Sequence, residues 1–248
     1  MNILFTICGR AGSKGLKNKN LKRLHHKPLV GYALSLIRLF SKRNPEININ
    51  VALNTDSKEL QKLVSELMPS VINVERKAEL ANDTVGKVMV IRDTLIQMEM
   101  ITGSKYDKVI DLDITSPLRT INDLESLYKR GIESDLDVVL SVVSSRRNPY
   151  FNMVQAKDDE EVSLVIQSTF TSRQQAPLIY DMNASMYLFD PTFLMNTDYL
   201  FDGHCGIIEM KDYLILDIDS EEDFLWLEHL LPFILDNDKG IEEIYKGI

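Results

Sequence analysis

The chain has 248 residues, 44% of them hydrophobic and 26% charged, with a formal net charge of −9. That length suits one α/β domain spanning 1–248 with a core of its own, and no apolar run is long enough to span a bilayer. An acidic balance argues against nucleic acid, which calls for a basic footprint; basic residues gathered near the N-terminus suit a small polyphosphate better.

The N-terminus lacks a basic region followed by an apolar stretch and a cleavage site, so export is not expected. Cys8 and Cys205 read as free thiols in a reducing cytoplasm, and the four histidines have no metal-ligand spacing. In chain order, the apolar run Asn2–Cys8 reads as a buried strand. Behind it, Gly9, Gly12 and Gly15 alternate with Arg10, Lys14, Lys17 and Lys19. Glycines let backbone N–H groups wrap an anion, and the cations neutralise it. This is neither the Walker nor the dinucleotide spacing; the alternative is an exposed basic turn.

Residues 29–43 carry helical spacing through Leu29, Ala33, Leu36, Ile37 and Phe40. A strand at 47–53 runs into Asn54-Thr55-Asp56-Ser57 and a helix at 57–67. Then come a strand at 71–74, a helix at 84–100 and a strand at 108–114 ending in Thr115-Ser116-Pro117. A helix at 121–134, with Asn122 as a possible cap, and a strand at 138–143 follow. This alternation predicts a mostly parallel sheet with helices on both faces. From Ser144 to about 190 it breaks into hairpin-like pieces, read as a protruding flap for dimerisation. Strands at 186–189 and 213–218 and a helix at 221–235, with Phe224, Leu227, Leu230 and Leu231 on one face, complete the chain. Met89, Met98 and Trp226 read as core.

In open parallel sheets the ligand lies beyond the carboxyl ends of the strands. The polar groups there are the first loop, Thr55-Asp56, Arg76 to Asp83, Asp111 with Asp113 and Ser116, and Asp217 with Asp219. Alternate residues of an extended chain share a face, so Asp217 and Asp219 are candidate ligands for Mg²⁺, as are Asp111 and Asp113 by the same spacing. Either pair is equally a strand end at the surface. Arg76 reads as a base or phosphate contact or as an ion-pair partner of Glu79. Arg173 and Gln174 read as a carboxylate-recognising pair or a solvated loop.

Together the segments Arg10–Gly15, Lys19-Asn20-Leu21, Arg76–Thr84, Thr115–Arg119, Arg173–Gln175, Asn183–Tyr187 and Ile218–Asp223 resemble the acylneuraminate cytidylyltransferase family. The resemblance implies a Rossmann-like fold with a dimerisation flap, a homodimer, and a reaction of CTP with a nine-carbon sugar acid. It implies CTP contacts from Arg10, Gly12, Ser13, Lys14, Gly15 and Lys19, with Asn20 and Arg76 on the cytidine part. It implies Mg²⁺, replaceable by Mn²⁺, on Asp217 and Asp219, and catalytic roles for these two with Arg10 and Lys19. The sugar site would draw on Asp113, Ser116, Arg173, Gln174, Asn183 and Tyr187.

The chain departs from the commonest family pattern. Asp113 replaces a glutamine, Ile114 a proline and Lys87 a serine. These changes resemble the branch that activates N,N′-diacetyllegionaminic acid or a related bacterial nonulosonic acid. N-acetylneuraminate, pseudaminate and the eight-carbon keto-sugar acid stay open as substrates, as does a non-catalytic CTP-binding regulator. Asp113 is a candidate general base.

Overall fold

A computed structural model of the chain describes residues 1–12, 15–82, 85–157 and 161–248. Its first strand, β1 (Asn2–Cys8), lies inside the sheet and is buried from Ile3 to Ile7. Ile3, Phe5 and Ile7 face the larger of two apolar clusters and Leu4 the other. Both faces are therefore covered, which is why the strand is apolar without alternation.

A ribbon of β2 (Arg23–Leu24) and β3 (Lys27–Pro28) leads into α1 (Leu29–Arg43). The chain continues through β4 (Asn48–Thr55), α2 (Lys58–Leu67), β5 (Ile72–Glu75), α3 (Lys87–Thr102) and β6 (Lys108–Leu112). Next come α4 (Ile121–Ile132) and β7 (Val138–Ser144), then an excursion holding the hairpin β8 (Val154–Ala156) and β9 (Val162–Leu164). The last part is β10 (Tyr180–Phe189), α5 (Pro191–Asn196), β11 (Cys205–Glu209), α6 (Glu221–Asn237) and α7 (Lys239–Lys246).

The seven-stranded sheet has the order β11-β7-β10-β6-β1-β4-β5. β5, β4, β1 and β6 pair in parallel, as do β7 and β11, while β10 is antiparallel to β6 and β7. The expected mostly parallel sheet, flanked by helices on both faces, is present. The excursion returns to the sheet at Tyr180, so 180–189 belong to the central sheet and the protruding part is 145–179.

Three local expectations differ from the structure. Residues 213–218 do not pair as a strand. They form a 3-10 turn at Asp212–Ile215 and an extended link, because β11 already occupies the sheet edge beside β7. Leu214 and Ile218 are buried as loop residues, and the Ile218 N–H donates to the Thr115 carbonyl at 3.0 Å. The cap of α4 is Thr120 rather than Asn122: its hydroxyl accepts from the Asp123 N–H while the Asp123 carboxylate accepts from the Thr120 N–H, a reciprocal pair. On α6, Leu227, Leu231 and Ile234 face inward, whereas Trp226 is 60% and Leu230 41% exposed. Met98 is buried as expected.

Candidate active site

The carboxyl ends of β1, β5 and β6 open onto a cleft of about 400 Å³. Its walls bring together Arg10, Gly15, Lys19 and Asn20 from the first loop, and Arg76 from beyond β5. Lys87 opens α3, Asp113 and Thr115 follow β6, and Asp217 and Asp219 come from the link before α6. These residues span most of the sequence, yet the sheet delivers them to one rim, as strand-end loops of a parallel sheet must. Gly12, with φ 72°, lines a smaller depression of about 210 Å³ that shares Arg10, Lys19 and Asn20 with the cleft. Ser13 and Lys14 lie outside the described residues.

The loop is fixed by its own backbone contacts. The Ala11 N–H donates to Asp56 Oδ1 at 2.6 Å, and Asn20 Nδ2 donates to the Arg10 carbonyl at 3.0 Å. Gly15 runs against the Asp217–Asp219 link so closely that a Cβ there would fall 2.2 Å from the Asp219 carbonyl oxygen. Lys19 Nζ reaches Asp219 Oδ1 at 2.9 Å. Arg76 is buried, and its Nε donates to Asn54 Oδ1 at 3.0 Å. The arginine is thus anchored inside the wall.

Across the cleft, Asp113 Oδ1 accepts from the Thr115 N–H at 3.0 Å and the Thr115 hydroxyl at 2.9 Å. Lys87 Nζ lies 2.6 Å from Asp113 Oδ2 and 3.1 Å from Asp111 Oδ2. Burial alone raises the Asp113 pKa, but the Lys87 ammonium and the Thr115 donors outweigh it and hold the carboxyl well below the usual range. Asp217 shifts the other way: burial and the nearby Asp113 charge raise its pKa. Its Oδ1 is buried with no hydrogen-bond partner among the described residues. Arg119 is fully buried behind Asp113, its Nη1 donating to the Ser185 carbonyl at 2.7 Å and its Nη2 to the Asp113 carbonyl. Burial lowers its pKa to about 10, against the pull of Asp113, Asp111 and Asp217.

The remaining residues read from the sequence stand elsewhere. The Ser116 hydroxyl donates to the Asn183 carbonyl at 3.1 Å, and Asn183 Oδ1 accepts from Ser141 at 2.6 Å. Both side chains hold β10 in place where its pairing with β7 shifts register, between Met182 and Tyr187. Tyr187 lies behind the cleft wall with Lys87 Nζ 4.9 Å from its ring centroid. Arg173 and Gln174 are exposed on the excursion, and Arg173 donates to the Ser145 carbonyl rather than lining the cleft. Asn54 was not singled out in the sequence. A buried asparagine closing an apolar strand, as it closes β4, was the available signal.

Among the described residues no group of three or more His, Cys, Asp or Glu side chains is arranged to hold a metal. Asp217 and Asp219 nonetheless have the chemistry Mg²⁺ takes, namely few protein oxygens with substrate phosphates completing the shell. The partnerless Asp217 Oδ1 fits such a ligand.

Comparison with known proteins agrees in sequence and in fold. A family model described as cytidylyltransferase matches residues 4–244. A CMP-N,N′-diacetyllegionaminic acid synthase of Campylobacter jejuni is 36% identical over 92% of this chain and 94% of its own length. A post-translational flagellin modification protein B of Campylobacter coli is 35% identical over the same shares. Among solved structures, a CMP:2-keto-3-deoxy-manno-octonic acid synthetase complexed with CTP superposes with a TM-score of 0.65. It is 13% identical, and the match covers 94% of this chain and 99% of that one, which speaks for the fold. With nearly every residue inside the matched span, the chain belongs to the cytidylyltransferase family and is a nucleotidyltransferase.

Proposed function

We propose that the chain activates a nine-carbon nonulosonic acid of the N,N′-diacetyllegionaminic type with CTP, giving the CMP-sugar and pyrophosphate. The observation that carries this reading is the gathering of Arg10 and Lys19 with Asp217 and Asp219 in one cleft. The 36% identical legionaminate synthase supports the choice of sugar.

In the reaction the anomeric 2-hydroxyl attacks the α-phosphorus and gives up its proton to water, the bond to the bridging oxygen breaks, and pyrophosphate leaves. Such transfer depends mainly on positioning and charge neutralisation. Arg10 and Lys19 hold the triphosphate, while Arg76, fixed by Asn54, and Asn20 orient the cytidine end. Asp217 and Asp219 would hold Mg²⁺, or Mn²⁺ in its place, and such an ion would supply Lewis-acid polarisation of the phosphoryl oxygen and of the attacking hydroxyl. Asp113 is a poor general base, since a carboxylate held far below its usual pKa resists protonation. It serves with Lys87 as a fixed polar wall for the sugar.

The working unit is a homodimer in the cytoplasm, where CTP is available. Support comes from a groove of about 690 Å³ between the start of the excursion and α6, lined by Met153, Ile215, Trp226, Leu230 and Phe233. The excursion itself exposes Leu178 at 83% and Val162 at 63%. A second copy offers each face the cover it lacks.

Pyrophosphate release with CTP and Mg²⁺ tests the reaction against N-acetylneuraminic, legionaminic, pseudaminic and the eight-carbon keto-sugar acids. Release with the legionaminate above the others is the expected result. Preference for another acid keeps the chemistry and rejects this sugar. CTP binding without release from any of them points to a regulator.

A further inference from the structure

Lys87 is the first residue of α3, where the helix dipole disfavours a positive charge and burial disfavours it again. Its ammonium nevertheless stands between two carboxylates, 2.6 Å from Asp113 Oδ2 and 3.1 Å from Asp111 Oδ2. Asp111 is fully buried; it accepts from the Thr6 hydroxyl at 2.7 Å. Among the described residues its Oδ2 receives no hydrogen bond, so the ammonium offsets that oxygen by charge and not by an aligned N–H. Two carboxylate oxygens converging on a compact cation is the arrangement a hard divalent ion adopts. A lysine head is likewise a compact point charge, but tethered. Asp217 presents the contrasting case, a buried carboxylate oxygen on the same cleft with no hydrogen-bond partner among the described residues.

We propose that Lys87 is a built-in cation occupying, between Asp111 and Asp113, the place of a second divalent ion, which leaves exchangeable metal to Asp217 and Asp219. The proposal rests on the reading that a divalent ion serves this cleft. Lys87 is a positioning residue in this role: it fixes the Asp113 carboxylate against the wall and supplies a permanent charge whatever the metal concentration. Removing its charge while keeping its bulk converts the Asp111–Asp113 pair into a metal site.

Mn²⁺ uptake by the purified full chain, read without nucleotide from the electron paramagnetic resonance of the free ion, tests this. Lys87→Met is expected to take up one more Mn²⁺ per chain than the wild type. Lys87→Arg, which keeps the charge, and the double variant Lys87→Met with Asp111→Asn are expected to show no gain. Equal uptake by wild type and a Lys87→Met protein with native circular dichroism overturns the proposal, as does the same gain in Lys87→Arg. Wild-type crystals soaked in Mn²⁺ and CTP give a reading that needs no variant. An anomalous peak between Asp111 and Asp113 overturns the proposal, and a peak at Asp217 alone supports it. No manganese anywhere in the cleft overturns the metal reading itself, an outcome distinct from failure at Lys87.

Discussion

Asp217 and Asp113 stand on the same cleft, and their surroundings push them in opposite directions. Asp217 is desolvated and lacks a partner for Oδ1, whereas Asp113 is held by one ammonium and two donors. Asp217→Asn keeps the shape and removes the charge; kcat is expected to fall by about 10²–10³, the usual loss when one electrostatic group of a preorganised site goes. CTP binding measured by calorimetry in EDTA should survive, and an unchanged kcat would reject the role given to Asp217. Asp113 makes a separate prediction. Its pKa is lower folded than unfolded, so its contribution to stability is complete above the unfolded value of about 3.9 and disappears as pH falls through the folded value. Breaking a buried pair costs about 3 kcal/mol, so Asp113→Asn should melt lower at pH 7. The gap to wild type should begin to narrow as pH falls below about 4. A constant gap across that range would show that Asp113 is not the titrating partner.

At the level of elements, the first loop and the Asp217–Asp219 link behave as one unit, because Gly15 leaves no room for a side chain against the Asp219 carbonyl. Gly15→Ala should displace the loop and lower kcat/KM for CTP by about 10²-fold, the scale of a 1 Å misplacement, with little change in melting temperature. Thr120→Ala removes the capping pair of α4 and should cost about 1 kcal/mol in chemical denaturation. The loop was readable in the sequence because its chemistry is local: glycines and cations adjacent in the chain stay adjacent in space. Asp217 and Asp219 were readable for the same reason, although the link carrying them is not a strand. Leu214 and Ile218 are buried because this apolar segment is a loop pressed onto the core, and its apolar composition imitates a strand. The true edge strand, β11, is hidden by Cys205 and Gly206, residues that carry little strand signal. The positions of Arg173 and Asn183 depend on the path of the excursion and on the register shift in β10, which no local pattern encodes. Trp226 misleads because α6 is apolar on more than its inward face, so its periodicity does not say which side is covered.

For the whole molecule, the exposed apolar side chains of α6 and the excursion set the next expectation. Phe233 is 68% exposed and lines the apolar groove, which shares no residue with the cleft. Phe233→Asp should shift the chain from dimer to monomer in sedimentation velocity; a wild type that sediments as a monomer would reject the dimer. Among the described residues no helix is long and apolar enough to cross a membrane, so these surfaces are not read as a span. The sheet has a further consequence. β7 and β11 connect to the other strands through β10 alone. β1, β4, β5 and β6, all within the first 112 residues, can therefore pair with one another before β10 is made. The C-terminal strands have nowhere to dock until residues 180–189 emerge and close the seam. The cleft, needing Lys19 from one end of the chain and Asp219 from the other, cannot be complete before that seam has formed. A nascent chain halted before that seam would carry the phosphate loop without the acidic groups that face it.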